Sequence, residues 1–283
     1  MLKEGNFDVF HPTFFDDYFL NFLNGKPFVL TIHDMMPELF PEYFKKHNLQ
    51  ITAKKKLVKK AAAIIAVSNQ TKNDIIDILQ VPEEKITVIY HGGPIIETIK
   101  MPPIITSPYF LYVGVRDFYK NFNQTLIDFG KVTNKYPYIK LVCTGYDFTK
   151  DEIRLITQLN LQNNIVYIKA DNEQLKNLYT YAIAFIYPSL YEGFGMPILE
   201  AFAYGCPVLL NKKSCFPEIA KDAGIYFESD NSGSNLSEKL FEAIIWSSED
   251  RKDIKQNGYN RLANFSWEKS SLQLAHLYNE IVQ

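Results

Sequence analysis

The chain has 283 residues, 47% of them hydrophobic, and its 30 Lys+Arg nearly balance its 32 Asp+Glu. This composition excludes disorder and offers no global attraction to nucleic acid; the length suits two modest α/β domains or one large one. The longest apolar stretches, such as 61–67 and 110–115, fall far short of the roughly 20 residues a membrane span needs. The start, from Met1 to Asn6, lacks the basic residues and apolar run of a signal peptide. Cys143, Cys206 and Cys215 are odd in number and have no Cys-x-x-Cys spacing. They read as buried thiols of a cytoplasmic protein, not as a disulfide framework or a zinc site.

Short β-branched and aromatic runs alternate with helix-like segments. Strands are expected at 7–10, 28–32, 64–67, 87–90, 110–115, 140–143, 165–168, 184–187, 207–210 and 225–227. Several are continuous apolar runs, as expected of parallel strands covered on both faces. Helices are expected between them at 70–79, 124–133, 151–159, 173–181 and 235–246, so the pattern is that of doubly wound α/β sheets. Pro94, Pro102, Pro103 and Pro108 mark an extended connection. The division that follows is 1–98 for a first domain, 99–108 for a linker and 109–265 for a six-strand Rossmann-like domain. A last segment, 266–283, is expected to form a helix packing back towards the first domain. The first domain offers only about four strands, which is thin for this architecture.

One segment carries chemistry. The strand 184–187 runs into Pro188-Ser189 and then Leu190-Tyr-Glu-Gly-Phe-Gly-Met-Pro-Ile-Leu-Glu200. Pro197 suits a first helical turn, so the order is strand, Gly-containing loop, helix start. That order puts unpaired N–H groups and the positive end of a helix dipole at the carboxyl edge of a parallel sheet, where anions bind. Gly193 and Gly195 allow a ligand close to the backbone. Either glutamate taken singly is more often an acid favoured by a helix start. Together they need another account, because carboxylates repel phosphate but hold vicinal hydroxyls well. A ligand with phosphates in the middle and diols at both ends fits, and a nucleotide-sugar is one. Glu200 would hold its ribose and Glu192 would face its sugar. A dinucleotide fingerprint does not fit, since Ile198 occupies the third glycine position.

The stretch 187–207, with Glu192 and Glu200 separated by seven residues, resembles the signature of the retaining glycosyltransferases of family 4. Other stretches support the resemblance in order: Thr31-Ile-His-Asp34, Ile65-Ala-Val-Ser-Asn-Gln-Thr-Lys72, Val88-Ile-Tyr-His-Gly-Gly93, and Phe110-Leu-Tyr-Val-Gly114 followed by Lys120-Asn121. The resemblance implies a GT-B-like α/β fold, two Rossmann-like parallel-sheet domains facing a cleft. It also implies transfer of a sugar from a nucleotide-diphosphate donor with retention, without a metal ion or other cofactor, in glycan, polysaccharide or glycolipid synthesis. His33 and Glu192 are the implied catalytic residues. Donor binding is implied for Arg116, Lys120, Gly193, Phe194, Gly195, Met196, Leu199 and Glu200, the backbone amides around Phe194, Gly195 and Met196 taking sugar hydroxyls.

The pattern departs from the family in two places. An Arg commonly precedes the Lys of the phosphate loop, where this chain has Tyr119; Arg116 is then expected to reach the same phosphates from four positions earlier. The usual opening strand and Gly-rich loop are not recognisable, so the N-domain is expected to be incomplete. A chain of that kind could instead be a nucleotide-sugar-binding subunit that needs a partner. His11 and His91 sit at strand ends like His33 and are further candidates for the cleft. The basic run 54–60, from Lys54 to Lys60, reads first as a solvated helix face. Its sharper reading is a peripheral contact with anionic lipid at the inner face of a membrane, since many family members glycosylate lipid-linked acceptors.

Overall fold

The computed structural model describes residues 4–44, 49–96, 101–116, 118–230 and 233–282; of the expected linker, residues 99 and 100 lie outside this range. The chain forms two compact units. One comprises Met1–Gly92, Glu192–Phe194 and Phe265–Gln283, the other Gly93–Tyr191 and Gly195–Asn264.

The first unit is built on β1 (Val29–Ile32), β2 (Ala63–Ala66) and β3 (Ile86–Val88), all parallel and in that spatial order. All four residues of β2 are buried, which explains its unbroken apolar sequence. The expected strand at 7–10 reduces to a single parallel bridge between Phe10 and Phe28. Pro12 has no N–H to extend that ladder. The helices are α1 (Met36–Leu39), α2 (Leu49–Lys60) and α3 (Asn69–Leu79). The carboxyl-terminal helix Trp267–Val282 lays Leu277 against Val29, Ala63, Ile65 and Ile89, with Leu274, Tyr278 and Ile281 beside it. Burying a side chain such as Leu277 stabilises by about 1.5–3 kcal/mol, so this helix supplies a large part of a small core.

The second unit contains β4 (Tyr109–Tyr112), α4 (Phe122–Thr133), β5 (Lys140–Cys143), α5 (Lys150–Gln158), β6 (Ile165–Tyr167), α6 (Asn172–Tyr181), β7 (Phe185–Tyr187), α7 (Met196–Ala203), β8 (Val208–Asn211), α8 (Phe216–Ala220), β9 (Gly224–Phe227), α9 (Leu236–Ile244) and α10 (Ser248–Leu262). Its six parallel strands lie in the order β6-β5-β4-β7-β8-β9. Phe110, Phe122, Leu126, Phe129, Leu141 and Leu240 belong to one core cluster. The order reverses between β4 and β7. In open α/β sheets that switch point leaves a crevice at the strands' carboxyl ends, which is where ligands bind.

Helix α10 is absent from the expected elements. It is polar, with only Gly258 and Leu262 buried, so it has no apolar stripe to read. Its legible signal is the capping box at its start, where Ser247 and Asp250 bond each other's backbone N–H.

Candidate functional site

In the second unit, the loops after β4 and β7 flank the switch point. After β4 the chain passes Gly114 and Arg116 to the short turn Phe118–Lys120, and α4 follows. The Lys120 ammonium lies 5.6 Å from the centre of the Tyr187 ring, which closes β7, and 5.0 Å from that of Tyr119. One cation is thereby held beside the strand end that leads into the glutamate-bearing loop.

Arg116 has a different task. Its Nε donates to Glu152 Oε1 at 2.9 Å. Nη1 donates to the Thr144 carbonyl, and Nη2 to the carbonyls of Tyr146 and Asp147. The guanidinium also sits 4.6 Å over the Phe148 ring. Both faces of the fork are therefore committed to the loop after β5 and to the capping box of α5, in which Glu152 bonds the Thr149 N–H. Arg116 was expected to clamp phosphate. The structure places it as a brace of that loop, with four of its five N–H groups bonded to protein acceptors.

The loop after β7 ends at Gly195, whose φ of +87° is the left-handed region that glycine adopts without strain. It is the N-cap of α7, has no side-chain cap, and is followed by Met196 and Pro197. No side chain caps this start, although Pro197 has no N–H and the Ile198 N–H already donates to the Gly195 carbonyl at 2.9 Å. Glu200 lies one turn on. Tyr179 Oη donates to its Oε2 at 3.2 Å, and burial raises the Glu200 pKa against the opposing effect of that hydrogen bond. Leu199, expected to touch the donor, is fully buried and belongs to the packing of α7.

The first unit gathers the remaining candidates. The tripeptide Glu192–Phe194 rests on the carboxyl ends of all three strands of its sheet. Beyond β1, a Cβ on Gly193 would come within 1.7 Å of the His33 carbonyl oxygen, so only glycine fits. Beyond β2, Ser68 Oγ and Thr71 Oγ1 both donate to the Gly193 carbonyl, at 2.6 and 3.1 Å. Beyond β3, the buried Phe194 ring meets His91 edge-on, with centroids 5.0 Å apart, and packs on Tyr90 and Phe265. Glu192 and His33, 159 positions apart in sequence, are brought to one sheet edge.

The His33 ring stacks on His91 with centroids 5.8 Å apart. Burial lowers the pKa of His33, opposed by Asp34 and reinforced by Lys54. Burial takes His91 down to about 4, with His33 adding to the effect. His33 is thus neutral at pH 7 and can donate or accept a proton through its ring nitrogens. His11 is tied elsewhere, to Tyr278 Oη at 2.6 Å and Thr31 Oγ1 at 2.8 Å. The backbone at His33–Asp34 is supported by Lys54, whose ammonium is wholly buried and bonds the Asp34 carbonyl and Glu38, both at 3.0 Å. Among the described residues no group of three His, Cys, Asp or Glu side chains is placed to hold a metal ion.

Residues 97–261 match the family model of glycosyl transferases group 1. The chain belongs to that family. Residues 1–93 also match the model of glycosyltransferase family 4. This group 1 glycosyltransferase is 27% identical over 240 residues to the O-antigen chain mannosyltransferase RfbU of Salmonella typhimurium, covering 84% of this chain and 65% of that protein. It is 26% identical over 272 residues to O-antigen chain mannosyltransferase B of Escherichia coli, covering 88% and 69%. The chain therefore spans about two thirds of the length of these relatives. Its fold is GT-B-like and resembles Anabaena Alr3699/HepE, solved in complex with UDP and glucose, at a TM-score of 0.80 and 20% identity, over 98% of this chain and 78% of that one. A glycosyltransferase from Rickettsia africae gives 0.78 at 21% identity, over 100% and 79%.

Sequence reasoning missed Ser68, Thr71, Tyr179, Glu38 and the inward turn of Lys54. Ser68-x-x-Thr71 is readable as a helix cap, but nothing local says that the same hydroxyls reach Gly193. Tyr179 carries no sequence signal beyond an apolar position in α6.

Proposed function

We propose that this chain transfers a hexosyl group from a nucleotide-diphosphate sugar to an acceptor hydroxyl, with retention of anomeric configuration. The observation that carries this reading is the β7–α7 segment: two carboxylates, two required glycines and an uncapped helix start at a sheet switch point. Glu200 holds the ribose, while Lys120 and the start of α7 take the diphosphate. Glu192 and the amides of Phe194, Gly195 and Met196 take sugar hydroxyls, and His33 contacts the transferred sugar or its phosphate. The bond from C1 to the phosphate oxygen breaks as the acceptor oxygen bonds C1 on the same face. The acceptor's proton passes to the departing phosphate oxygen. Stabilising the charge of that leaving group contributes several kcal/mol in a dry site.

The names of the relatives support mannose as the sugar and a bacterial surface polysaccharide as the product. A thermal-shift screen with UDP-, GDP- and ADP-sugars identifies the donor, since a ligand that binds the native state raises apparent stability. Transfer is then assayed with wild type, Glu192→Ala and Lys120→Ala. Unchanged binding and turnover in both variants would sink the site. A wild type that binds but neither transfers nor hydrolyses the donor is a binding subunit.

The acceptor side adds a peripheral contact with anionic lipid. Among the described residues no helix is long and apolar enough to cross a membrane. Lys54, expected in the basic face, points inward to Glu38 because it has a buried carboxylate to pair with. The exposed lysines of α2 are Lys55, Lys56, Lys59 and Lys60, with Leu49 at the head of the helix and Phe14 exposed nearby, where both line one recess. Each lysine near an anionic surface contributes about 1 kcal/mol.

A further inference from the structure

The hydroxyls of Ser68 and Thr71 have more than one use. Ser68 caps α3, its Oγ accepting the Thr71 N–H at 3.0 Å. A serine hydroxyl has one proton and two lone pairs. With a lone pair given to the cap, its proton has two acceptors in reach, Thr71 Oγ1 at 3.1 Å and the Gly193 carbonyl at 2.6 Å, and the shorter bond is to the carbonyl. Thr71 Oγ1 sends its own proton to the same oxygen at 3.1 Å. Both lone pairs of the Gly193 carbonyl are therefore taken, and all three groups are buried. A helix cap needs neither of these last two bonds.

The consequence lies on the other side of the peptide. The bond from Gly193 to Phe194 is trans, since there is no cis peptide among the described residues. In a planar trans peptide the carbonyl and the following N–H point in opposite directions. Fixing the Gly193 carbonyl on Ser68 and Thr71 therefore aims the Phe194 N–H directly away from them. Among the described residues no hydrogen bond takes up that N–H, and a buried backbone donor calls for a partner. The His33 backbone closes off a Cβ at Gly193, and the Phe194 ring is held by His91, Tyr90 and Phe265. The peptide plane cannot turn without breaking one of these contacts.

We propose that Ser68 and Thr71 are positioning residues for sugar transfer: they hold the Gly193 carbonyl so that the Phe194 amide and the adjoining Glu192 meet the donor's sugar in one orientation. This rests on the donor-site reading above. It predicts that the two hydroxyls matter for the sugar end of the donor and not for its nucleotide end.

The test compares wild type, Thr71→Val and Thr71→Ser, all checked for folding by circular dichroism and thermal unfolding. Valine keeps the shape of threonine and removes its hydroxyl; serine keeps the hydroxyl. Each is titrated with a nucleotide-sugar that wild type turns over, chosen from UDP-glucose, GDP-mannose and ADP-glucose, and with the matching nucleoside diphosphate. Thr71→Val is expected to lose about tenfold in nucleotide-sugar affinity or in kcat, the scale of one buried hydrogen bond. Its affinity for the nucleoside diphosphate stays as in wild type, and Thr71→Ser restores both properties. The idea is overturned if Thr71→Val behaves as wild type, or if it loses affinity for nucleotide-sugar and nucleoside diphosphate equally. Ser68→Ala, which also loses the cap, is expected to show the same split after correction for its lower melting temperature; a loss confined to stability overturns the role of Ser68. If wild type binds no nucleotide-sugar at all, the donor-site reading itself has failed, an outcome separate from these.

Discussion

Gly193 lies against the backbone of His33 so closely that a methyl group on it would overlap the His33 carbonyl oxygen, at 1.7 Å. The neighbour is backbone, not the movable end of a side chain. Gly193→Ala must therefore displace either the tripeptide Glu192–Phe194 or the end of β1. We expect this variant to remain folded, because the contact is local, yet to lose at least about tenfold in turnover, since catalytic groups tolerate little misplacement. Steady-state kinetics beside a thermal melt checks it; wild-type turnover would show that the approach is not needed for chemistry.

Glu200 gives a prediction with a pH sign. Burial raises its pKa, so the folded state holds the proton more tightly than the unfolded chain does. Between the two pKa values the native state carries more protons, and stability falls as pH rises through that window. Glu200→Gln removes this cost and is expected to melt higher than wild type at neutral pH. Nucleotide binding should weaken in the same variant, because the ribose needs the ionised acceptor. For wild type, nucleotide affinity increases as pH rises through the Glu200 pKa. Tyr179→Phe removes the hydrogen bond that lowers this pKa and should move the midpoint of the binding profile upwards. Isothermal titration across pH measures both effects.

Arg116 and Lys120 are separable by mutation. Arg116→Lys cannot replace a fork that serves Glu152 and three carbonyls. Arg116→Met, which leaves Glu152 without a cationic partner, is expected to cost about 3 kcal/mol in urea unfolding. Lys120→Ala gives up its contacts with the Tyr119 and Tyr187 rings and should cost less in urea unfolding than loss of the Arg116 cation, while weakening donor affinity. The reverse pattern would restore Arg116 as the phosphate ligand.

The stacked histidines predict acid sensitivity. His91 has its pKa lowered from 6.5 to about 4, first by burial and then by His33. A depressed histidine pKa means the unfolded state binds the extra proton first. The stability contribution is present above pH 6.5 and is lost as pH falls towards 4. His91→Phe keeps an aromatic ring against Phe194 and should flatten the loss of melting temperature between pH 6.5 and 4. An unchanged slope would mean that other groups govern acid unfolding.

The basic face of α2 is tested by vesicle flotation. Replacing Lys55, Lys59 and Lys60 with Gln should reduce binding to vesicles containing phosphatidylglycerol, and added salt should reduce wild-type binding in the same way. Neutral phosphatidylcholine vesicles should bind neither protein. Equal flotation of both proteins would remove the membrane contact.

The strands of the second unit and the strand–loop–helix around Glu192 and Glu200 were legible in the sequence because their determinants are local. Continuous apolar runs announce buried parallel strands, and Gly195 followed by Pro197 announces a helix start within three residues. From these the switch-point geometry follows by a general rule of parallel sheets. The fate of Arg116 was not legible. Its partner Glu152 is 36 positions away, and a sequence cannot say whether a guanidinium will find a protein carboxylate before a ligand. Strand 7–10 failed for a similar reason: its apolar residues suit a strand, but whether a neighbour's backbone pairs with it is a tertiary matter. The hydroxyls of Ser68 and Thr71 announce a cap, whereas their hold on a carbonyl more than 120 positions away exists only once the chain has folded. Local spacing therefore determined which groups are candidates for binding a nucleotide-sugar. Packing decided which are spent inside the protein and which way the remaining ones point, because donors and acceptors are assigned by three-dimensional proximity and not by order along the chain.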